Sequence, residues 1–293
     1  MRINPTNKCN LRCLPCISRG KPTYKKEEEL STETYLRIIK EAAKIYVKRV
    51  DVCGGGEPFA KSGIMKILKK IKENEMEGSI STNGTLIKEE VAKKLVEMEW
   101  DEIRFSINSP NEKIDNYLRG VKGAFKLSIR AIKYLNYFKK KLKKEKPQLV
   151  IMPVITSFNY KDVVKFVKLC AKLKVSSLTL QPFMSEVLPG YKPDEKVRKK
   201  LSEKLMLNKK QMMEFKRILK KAKELAEKFG IITNIDSLMR IDVREKTSKL
   251  IKKESKKYKN KYLKIPCYVP WWDLDISVNG KIGPCFRAEK NLS

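Results

Sequence analysis

The chain of 293 residues carries 66 Lys plus Arg against 34 Asp plus Glu, seven cysteines and no histidine. The missing histidine excludes imidazole general bases, His-based triads and His-rich zinc sites. With 41% hydrophobic and 8% aromatic residues the chain can bury a sizeable core, which excludes a wholly disordered protein, and its length allows about two domains or one α/β barrel.

The formal charge of +32 is dominated by lysine, 53 residues against 13 arginines. Arginine's rigid fork serves base readout and phosphate clamps, whereas lysine is the usual residue of solvated helix faces. A solvated basic surface is therefore expected, with an anionic partner as the alternative. Lys/Glu enrichment also fits a protein from a hot environment. No apolar run approaches the ~18 residues needed to span a bilayer, and Met1 leads straight into Arg2-Ile3-Asn4-Pro5 without a targeting pattern. A cytoplasmic location is expected, which directs the cysteines toward metal or redox work rather than disulfides.

Short apolar runs at 2–6, 49–53, 78–81, 102–107, 149–155 and 177–183 read as strands. Between them, 35–46, 64–71, 88–98, 123–137 and 163–173 read as amphipathic helices; in the first, Leu36, Ile39, Ala43 and Tyr46 share a face. Such alternation predicts parallel strands with right-handed crossovers. Six units make an α/β fold, an open, partial (β/α)6, TIM-like barrel with its chemistry at the C-terminal strand ends. The barrel is expected over 1–190. A helical, Lys-rich linker follows at 191–264, with a long helix at 209–229 stopped by Gly230. A small β-hairpin region at 265–293 ends the chain, its Asn279-Gly280 a hairpin-turn signal. The nine lysines of 245–264, interleaved with Tyr258 and Tyr262, read as a solvated connecting segment; tracking an anionic strand is the other reading.

Directly after the first strand stand Cys9, Cys13 and Cys16, spaced C-x3-C-x2-C. Thiolates are soft ligands that suit an iron–sulfur cluster or zinc. Tetrahedral zinc wants a fourth Cys or His nearby, and none is there. Three ligands on a four-iron cluster leave one iron open to an exogenous ligand. Cys53 reads as a small buried residue, and Cys170, with Phe166 and Leu173, as core.

C-x3-C-x2-C at the end of the first strand resembles the cluster motif of the radical S-adenosylmethionine (radical SAM) superfamily. The resemblance implies that Cys9, Cys13 and Cys16 hold a [4Fe–4S] cluster whose open iron is chelated by S-adenosylmethionine. Reductive cleavage of the sulfonium then gives a 5′-deoxyadenosyl radical that abstracts hydrogen from a substrate. Gly54-Gly55-Gly56-Glu57-Pro58 after the second strand resembles the family's Gly-Gly-Glu-Pro, implying that Gly55, Gly56 and Glu57 receive the methionine ammonium. Ser81-Thr82-Asn83-Gly84 looks like the family's Thr-Asn-Gly, and Ser106, Asn108 and Arg119-Gly120 look like its S-x-D and Arg-Gly. By resemblance Ser81, Asn83, Ser106, Asn108 and Arg119 contact the ribose and the methionine carboxylate. Thr156, Asn159 and Gln181-Pro182 resemble adenine-side positions. Two features depart from the pattern: Asn108 stands for the usual Asp, and Pro15 for the usual aromatic before the third cysteine.

Cys267-x12-Gly280-x4-Cys285 resembles the opening of the SPASM/Twitch extension, in which a hairpin carries cysteines for an auxiliary [4Fe–4S] cluster. Two thiols do not fill a four-cysteine site. Either the cluster is incompletely ligated, or ligands are borrowed, or the sequence is a shortened form; the last is the expectation here. A metal-free hairpin is the alternative. No separate recognition domain is expected ahead of the barrel, because Met1 opens the first strand.

The resemblance implies an oxidoreductase or maturase acting on a peptide or protein side chain or on a small cofactor precursor. Its electron comes from a low-potential donor such as ferredoxin or flavodoxin. An RNA-modifying member using the Lys-rich surface, and a non-catalytic zinc-stapled binding protein, are the competing readings.

Overall fold

The computed structural model describes residues 1–16, 29–183, 199–200, 203–240 and 273–283. Strands β1 (Arg2–Ile3), β2 (Arg49–Val52), β3 (Glu77–Thr82), β4 (Glu102–Phe105) and β5 (Gln148–Ile151) pair in parallel in that order. After breaks at 152–153 and 179–180, β5 continues as β6 (Val154–Ile155) and β7 (Ser177–Leu178) as β8 (Gln181–Pro182). Both portions keep the two strands parallel.

Helices α1 (Thr32–Lys44), α2 (Ile64–Glu73), α3 (Glu89–Glu97), α4 (Glu112–Arg119), α5 (Ala124–Leu142) and α6 (Val163–Lys172) form the crossovers. Their apolar faces cover one side of the sheet. Val50, Val52, Ile80, Ile103, Phe105, Leu149 and Ile151 lie there with Ile39, Ile67, Leu95, Ile132 and Phe166 in one core.

The period-2 alternation sends the intervening side chains of β2–β4 to the opposite face. There Arg49, Asp51, Ser79, Glu102 and Arg104 form a polar wall rather than a second apolar layer. Arg104 Nε lies 2.6 Å from Glu102 and its Nη2 3.5 Å from Asp51, while Arg49 Nη1 lies 2.6 Å from Glu77. Burial pushes the Asp51 carboxyl up, but the Ser79 hydroxyl and the Arg104 and Arg49 guanidiniums outweigh it and hold the group below its usual range. One face packed by helices and one lined by polar groups is the pattern of a partial barrel, not of a sheet wrapped on both sides.

The sheet exceeds the six expected units at both edges. α7 (Lys209–Lys228) opens with a reciprocal cap between Asn208 and Gln211, buries Phe215, Leu219, Ala222 and Ala226, and leads to β9 (Ile232–Thr233) and α8 (Ile235–Met239). β9 pairs in parallel with β7, so the described part of the segment read as a linker contributes a strand to the sheet. At the other edge β10 (Asp275–Ile276) pairs in parallel with β1 and antiparallel with β11 (Ile282–Gly283). Asn4 fastens this hairpin, its Nδ2 2.9 Å from Asp275 Oδ1 and 3.0 Å from the Ile276 carbonyl.

The face expected for the first helix is rotated by one position. Tyr35, Ile39 and Ala42 are buried, while Tyr46 lies beyond the helix end at φ 59° and is 80% exposed. No helix among the described residues is long and apolar enough to cross a membrane.

Candidate functional site

The C-terminal ends of β1–β4 bring one loop from each strand together. The loop after β1 carries the three cysteines and is clamped by main-chain hydrogen bonds on two sides. Toward the β2 loop, Gly56 N donates to the Thr6 carbonyl at 3.1 Å and Glu57 N to the Lys8 carbonyl at 2.7 Å. Toward α4, Arg12 N donates to the Arg119 carbonyl at 3.2 Å and Leu14 N to the Leu118 carbonyl at 2.7 Å. Two glycines make these approaches possible. A β-carbon on Gly56 would stand 2.3 Å from the Lys8 carbonyl oxygen, and one on Gly120 would stand 2.4 Å from that of Arg12. Leu11 and Pro15 are buried as anchors, so the proline fills the place by packing, while Cys9 and Cys16 are exposed and Cys13 is half-buried.

Burial raises the Cys13 thiol to about 12, with the neighbouring Cys16 adding to the effect, and burial also raises Cys9. Among the described residues no three His, Cys, Asp or Glu side chains converge on one point as for a bound metal ion. The donor set nevertheless fits an iron–sulfur cluster. Residues 7–16 offer three thiols and no carboxylate. Cys9 Sγ accepts from Leu11 N at 3.5 Å and faces Asn83 Nδ2 at 4.0 Å, the N–H-to-sulfur contacts that favour a metal-bound thiolate.

The β2 loop turns Glu57 inward. It is 2% exposed; Oε1 accepts from the Thr82 hydroxyl at 2.6 Å and Phe59 N at 3.2 Å, and Oε2 accepts from Asn83 N at 2.6 Å. Burial pushes this carboxyl above its ordinary range, and those three donors only partly offset it. Its oxygens tie the β2 loop to the end of β3. The main chain of Gly54 and Gly55 makes no hydrogen bond among the described residues and remains available to a ligand.

Asn83, Asn108 and Arg119 are likewise buried and bonded to neighbouring groups. Asn83 Oδ1 accepts from Thr85 N at 2.8 Å and its Nδ2 donates to Asn10 at 2.9 Å, tying the β3 loop to the cysteine loop. Asn108 Oδ1 accepts from Val154 N at 2.9 Å. Arg119 is fully buried, 3.2 Å from Asp115; Nη1 donates to Ser128 at 2.9 Å, Nη2 donates to the Asn83 carbonyl, and Nε has no partner. Thr156 and Asn159 are buried and bonded to each other, with Asn159 Nδ2 donating to the Val154 carbonyl at 2.8 Å. In contrast, Ser81 and Ser106 are half-buried at the top of the polar wall, with no side-chain hydrogen bond among the described residues. Gln181 and Pro182 are exposed. Cys170 is buried in the core as expected, whereas Cys53 is half-buried. Cys267, Cys285 and the lysine run 245–264 lie outside the described residues.

The sequence reading missed Asp115, Ser128 and Asn10. Asp115 and Arg119 are spaced i,i+4 on α4, which was the available signal.

The fold and part of the sequence have counterparts. The chain is 36% identical over 129 residues to Fe-coproporphyrin III synthase of Methanosarcina barkeri, a match covering 44% of this chain and 32% of that protein. It superposes with TM-score 0.67 and 18% identity on Streptococcus suis SuiB bound to S-adenosylmethionine, covering 97% of this chain and 59% of SuiB. SuiB bound to its precursor peptide SuiA gives TM-score 0.66 and 18% identity, covering 98% and 59%. The matches thus span between a third and about three fifths of these proteins' own lengths. Residues 3–170, more than half of the chain and the whole of the cysteine loop and strand-end loops described above, match the model of the radical SAM superfamily, and the protein belongs to that family.

Proposed function

We propose that this chain is a radical SAM enzyme of the oxidoreductase or maturase kind, with Cys9, Cys13 and Cys16 holding a [4Fe–4S] cluster beside S-adenosylmethionine. The observation that carries the reading is the loop itself: three thiols, no carboxylate, and a main chain bonded on both sides to strand-end loops. When bound, the cluster supplies one electron to the sulfonium, and the cofactor carries the radical chemistry.

The chain's own part is positioning. The Gly55 main chain lets the methionine end approach closely, Gly56 holds the cysteine loop beside it, and the Ser81 and Ser106 hydroxyls are offered to the ribose. Glu57, Asn83, Asn108 and Arg119 hold these groups in register from behind. The substrate is a peptide or protein side chain or a small cofactor precursor. Support comes from the polar inner wall, which suits a polar occupant, and from relatives that include a synthase of a small tetrapyrrole and an enzyme with a precursor peptide. A low-potential ferredoxin or flavodoxin donates the electron. The chain divides into a barrel at 1–190, a mainly helical segment at 191–264 that adds β9 to the barrel sheet, and a SPASM/Twitch-like region at 265–293, where Cys267 and Cys285 supply two of the ligands of an auxiliary [4Fe–4S] cluster.

Anaerobically reconstituted protein, reduced with dithionite and given S-adenosylmethionine, is expected to release 5′-deoxyadenosine and methionine. Cys13→Ala is expected to abolish the release, whereas Cys170→Ala, on a core cysteine, is expected to retain it. Undiminished release from Cys13→Ala, or colourless protein carrying zinc, defeats the proposal.

A further inference from the structure

Asn83 follows β3 and stands beside the cysteine loop. Its main chain is held on both sides, the N–H by Glu57 Oε2 at 2.6 Å and the carbonyl by Arg119 Nη2. Its side chain is held as firmly. Gly84, at φ 75°, turns the chain so that Thr85 N donates to Asn83 Oδ1 at 2.8 Å, and the Thr85 hydroxyl donates to the same oxygen at 2.7 Å. A backbone N–H can only donate, so the atom facing it is the amide oxygen, and the amide nitrogen points the other way. That nitrogen donates to Asn10 Oδ1 at 2.9 Å, and Asn10 Nδ2 donates in turn to the Thr85 hydroxyl at 2.8 Å. The three side chains close a ring of hydrogen bonds in which each bond fixes the sense of the next. Asn83 Nδ2 carries two hydrogens, of which Asn10 takes one. The other faces Cys9 Sγ, 4.0 Å from the nitrogen. Asn83 and Thr85 are both buried, so the arrangement is set by the protein rather than by solvent.

We propose that Thr85 is a positioning residue that, through the Asn83 amide, sets the reduction potential of the cluster bound at Cys9. The inference rests on the proposed radical SAM reading. An N–H directed at a cysteine sulfur stabilises the more electron-rich, reduced cluster and so raises its potential; an amide turned over would present its oxygen and lower it. Thr85→Val keeps the shape of the side chain and removes the hydroxyl. It leaves Asn10 Nδ2 without its acceptor and Asn83 Oδ1 with one donor in place of two, so the ring is opened and the amide is held less firmly toward Cys9.

The test is a redox titration of the anaerobically reconstituted full chain, followed by electron paramagnetic resonance, with S-adenosylmethionine added afterwards to identify the signal of this cluster. Thr85→Val is expected to load iron and sulfide as the wild type does but to titrate at a more negative potential, its one-electron reduction equilibrium lowered by about threefold or more. Thr85→Ser, which keeps the hydroxyl, is expected to titrate with the wild type. Asn83→Asp, which replaces the donor by an acceptor of the same shape, is expected to lower the equilibrium by about tenfold or more, a shift of about 59 mV. A potential at or above the wild-type value in iron-loaded Thr85→Val overturns the proposal, as does an unshifted Asn83→Asp. A shift that Thr85→Ser shares also overturns it, and so does loss of loading from Thr85→Val, which would make Thr85 a folding residue of the loop. Wild type that loads iron but shows no signal responding to S-adenosylmethionine would instead strike the radical SAM reading, while the variants' potentials would still report whether Thr85 acts through the Asn83 amide.

Discussion

Gly56→Ala is expected to lower iron and sulfide loading after anaerobic reconstitution by about tenfold or more while the chain remains folded. The added β-carbon would stand 2.3 Å from the Lys8 carbonyl oxygen, 2.6 Å from the Asn7 carbonyl carbon and 2.8 Å from that of Lys8. All three are main-chain atoms, so no rotamer change relieves the contact. The cysteine loop must retreat, and the 2.7 Å bond from Glu57 N to the Lys8 carbonyl lengthens with it. Cys9 is the next residue along the chain, so the displacement passes directly to a thiol. Overpacking of this kind costs about 1–3 kcal/mol, which a folded domain tolerates. Gly123→Ala is the matching control. No atom lies within 4 Å of its added β-carbon, although its φ of 85° makes the substitution strained, so stability falls slightly and loading does not. Wild-type loading in Gly56→Ala would show that the loop is not held by this contact.

The second large effect concerns the buried pair behind the site. Arg119→Met is expected to destabilise the chain by about 3–5 kcal/mol in denaturant unfolding, because it leaves Asp115 buried without its cation. The variant also frees the Asn83 carbonyl and the Ser128 hydroxyl from their guanidinium donor, loosening the end of β3. The pH dependence has a definite sign. Burial already raises the Asp115 carboxyl, with Arg119 and the amides of Asn108 and Ser109 offsetting part of the rise. A carboxyl raised in the folded state is best tolerated below its unfolded value and loses stability as pH rises through its folded value. Removing Arg119 raises it further, so the deficit is expected to be larger at pH 8 than at pH 5. Asp115→Asn/Arg119→Met is expected to recover about 1 kcal/mol or more over Arg119→Met at neutral pH, the coupling that a shared network produces. A deficit independent of pH, or simple additivity, would count against the pair as the brace of the site.

These two predictions mark the boundary of what the sequence makes legible. The strand–helix alternation of 2–183 and the cysteine spacing are local signals, and the strands and crossovers lie close to where periodicity predicts them. Helix α4 escaped because two of the three residues it buries, Asp115 and Arg119, are charged, whereas helical periodicity treats charges as outward-facing. The protein contacts of Glu57 were not readable for a related reason: they depend on where Thr82 and Asn83 lie in three dimensions. Tyr46 fits the helical spacing of α1 but follows its last turn in a left-handed conformation, which places it in solvent. The hairpin at β10–β11 was visible from Asn279-Gly280, but its parallel pairing with β1 joins Arg2 to Asp275, and no local pattern specifies a partner so distant in sequence. Within the candidate site, residue types were readable. The division into partly accessible groups (Ser81, Ser106 and the cysteines of the loop) and buried ones (Glu57, Asn83, Asn108 and Arg119) needed the fold.

Low-temperature electron paramagnetic resonance of the dithionite-reduced chain, before and after addition of S-adenosylmethionine, tests most directly whether Cys9, Cys13 and Cys16 hold a cluster to which S-adenosylmethionine binds. The spectrum of the wild type is predicted to change on addition of S-adenosylmethionine. In Cys9→Ala/Cys13→Ala/Cys16→Ala, with Cys267 and Cys285 left intact, no signal responding to S-adenosylmethionine is predicted. A responsive signal in the triple variant, or an unresponsive one in fully iron-loaded wild type, would contradict the account.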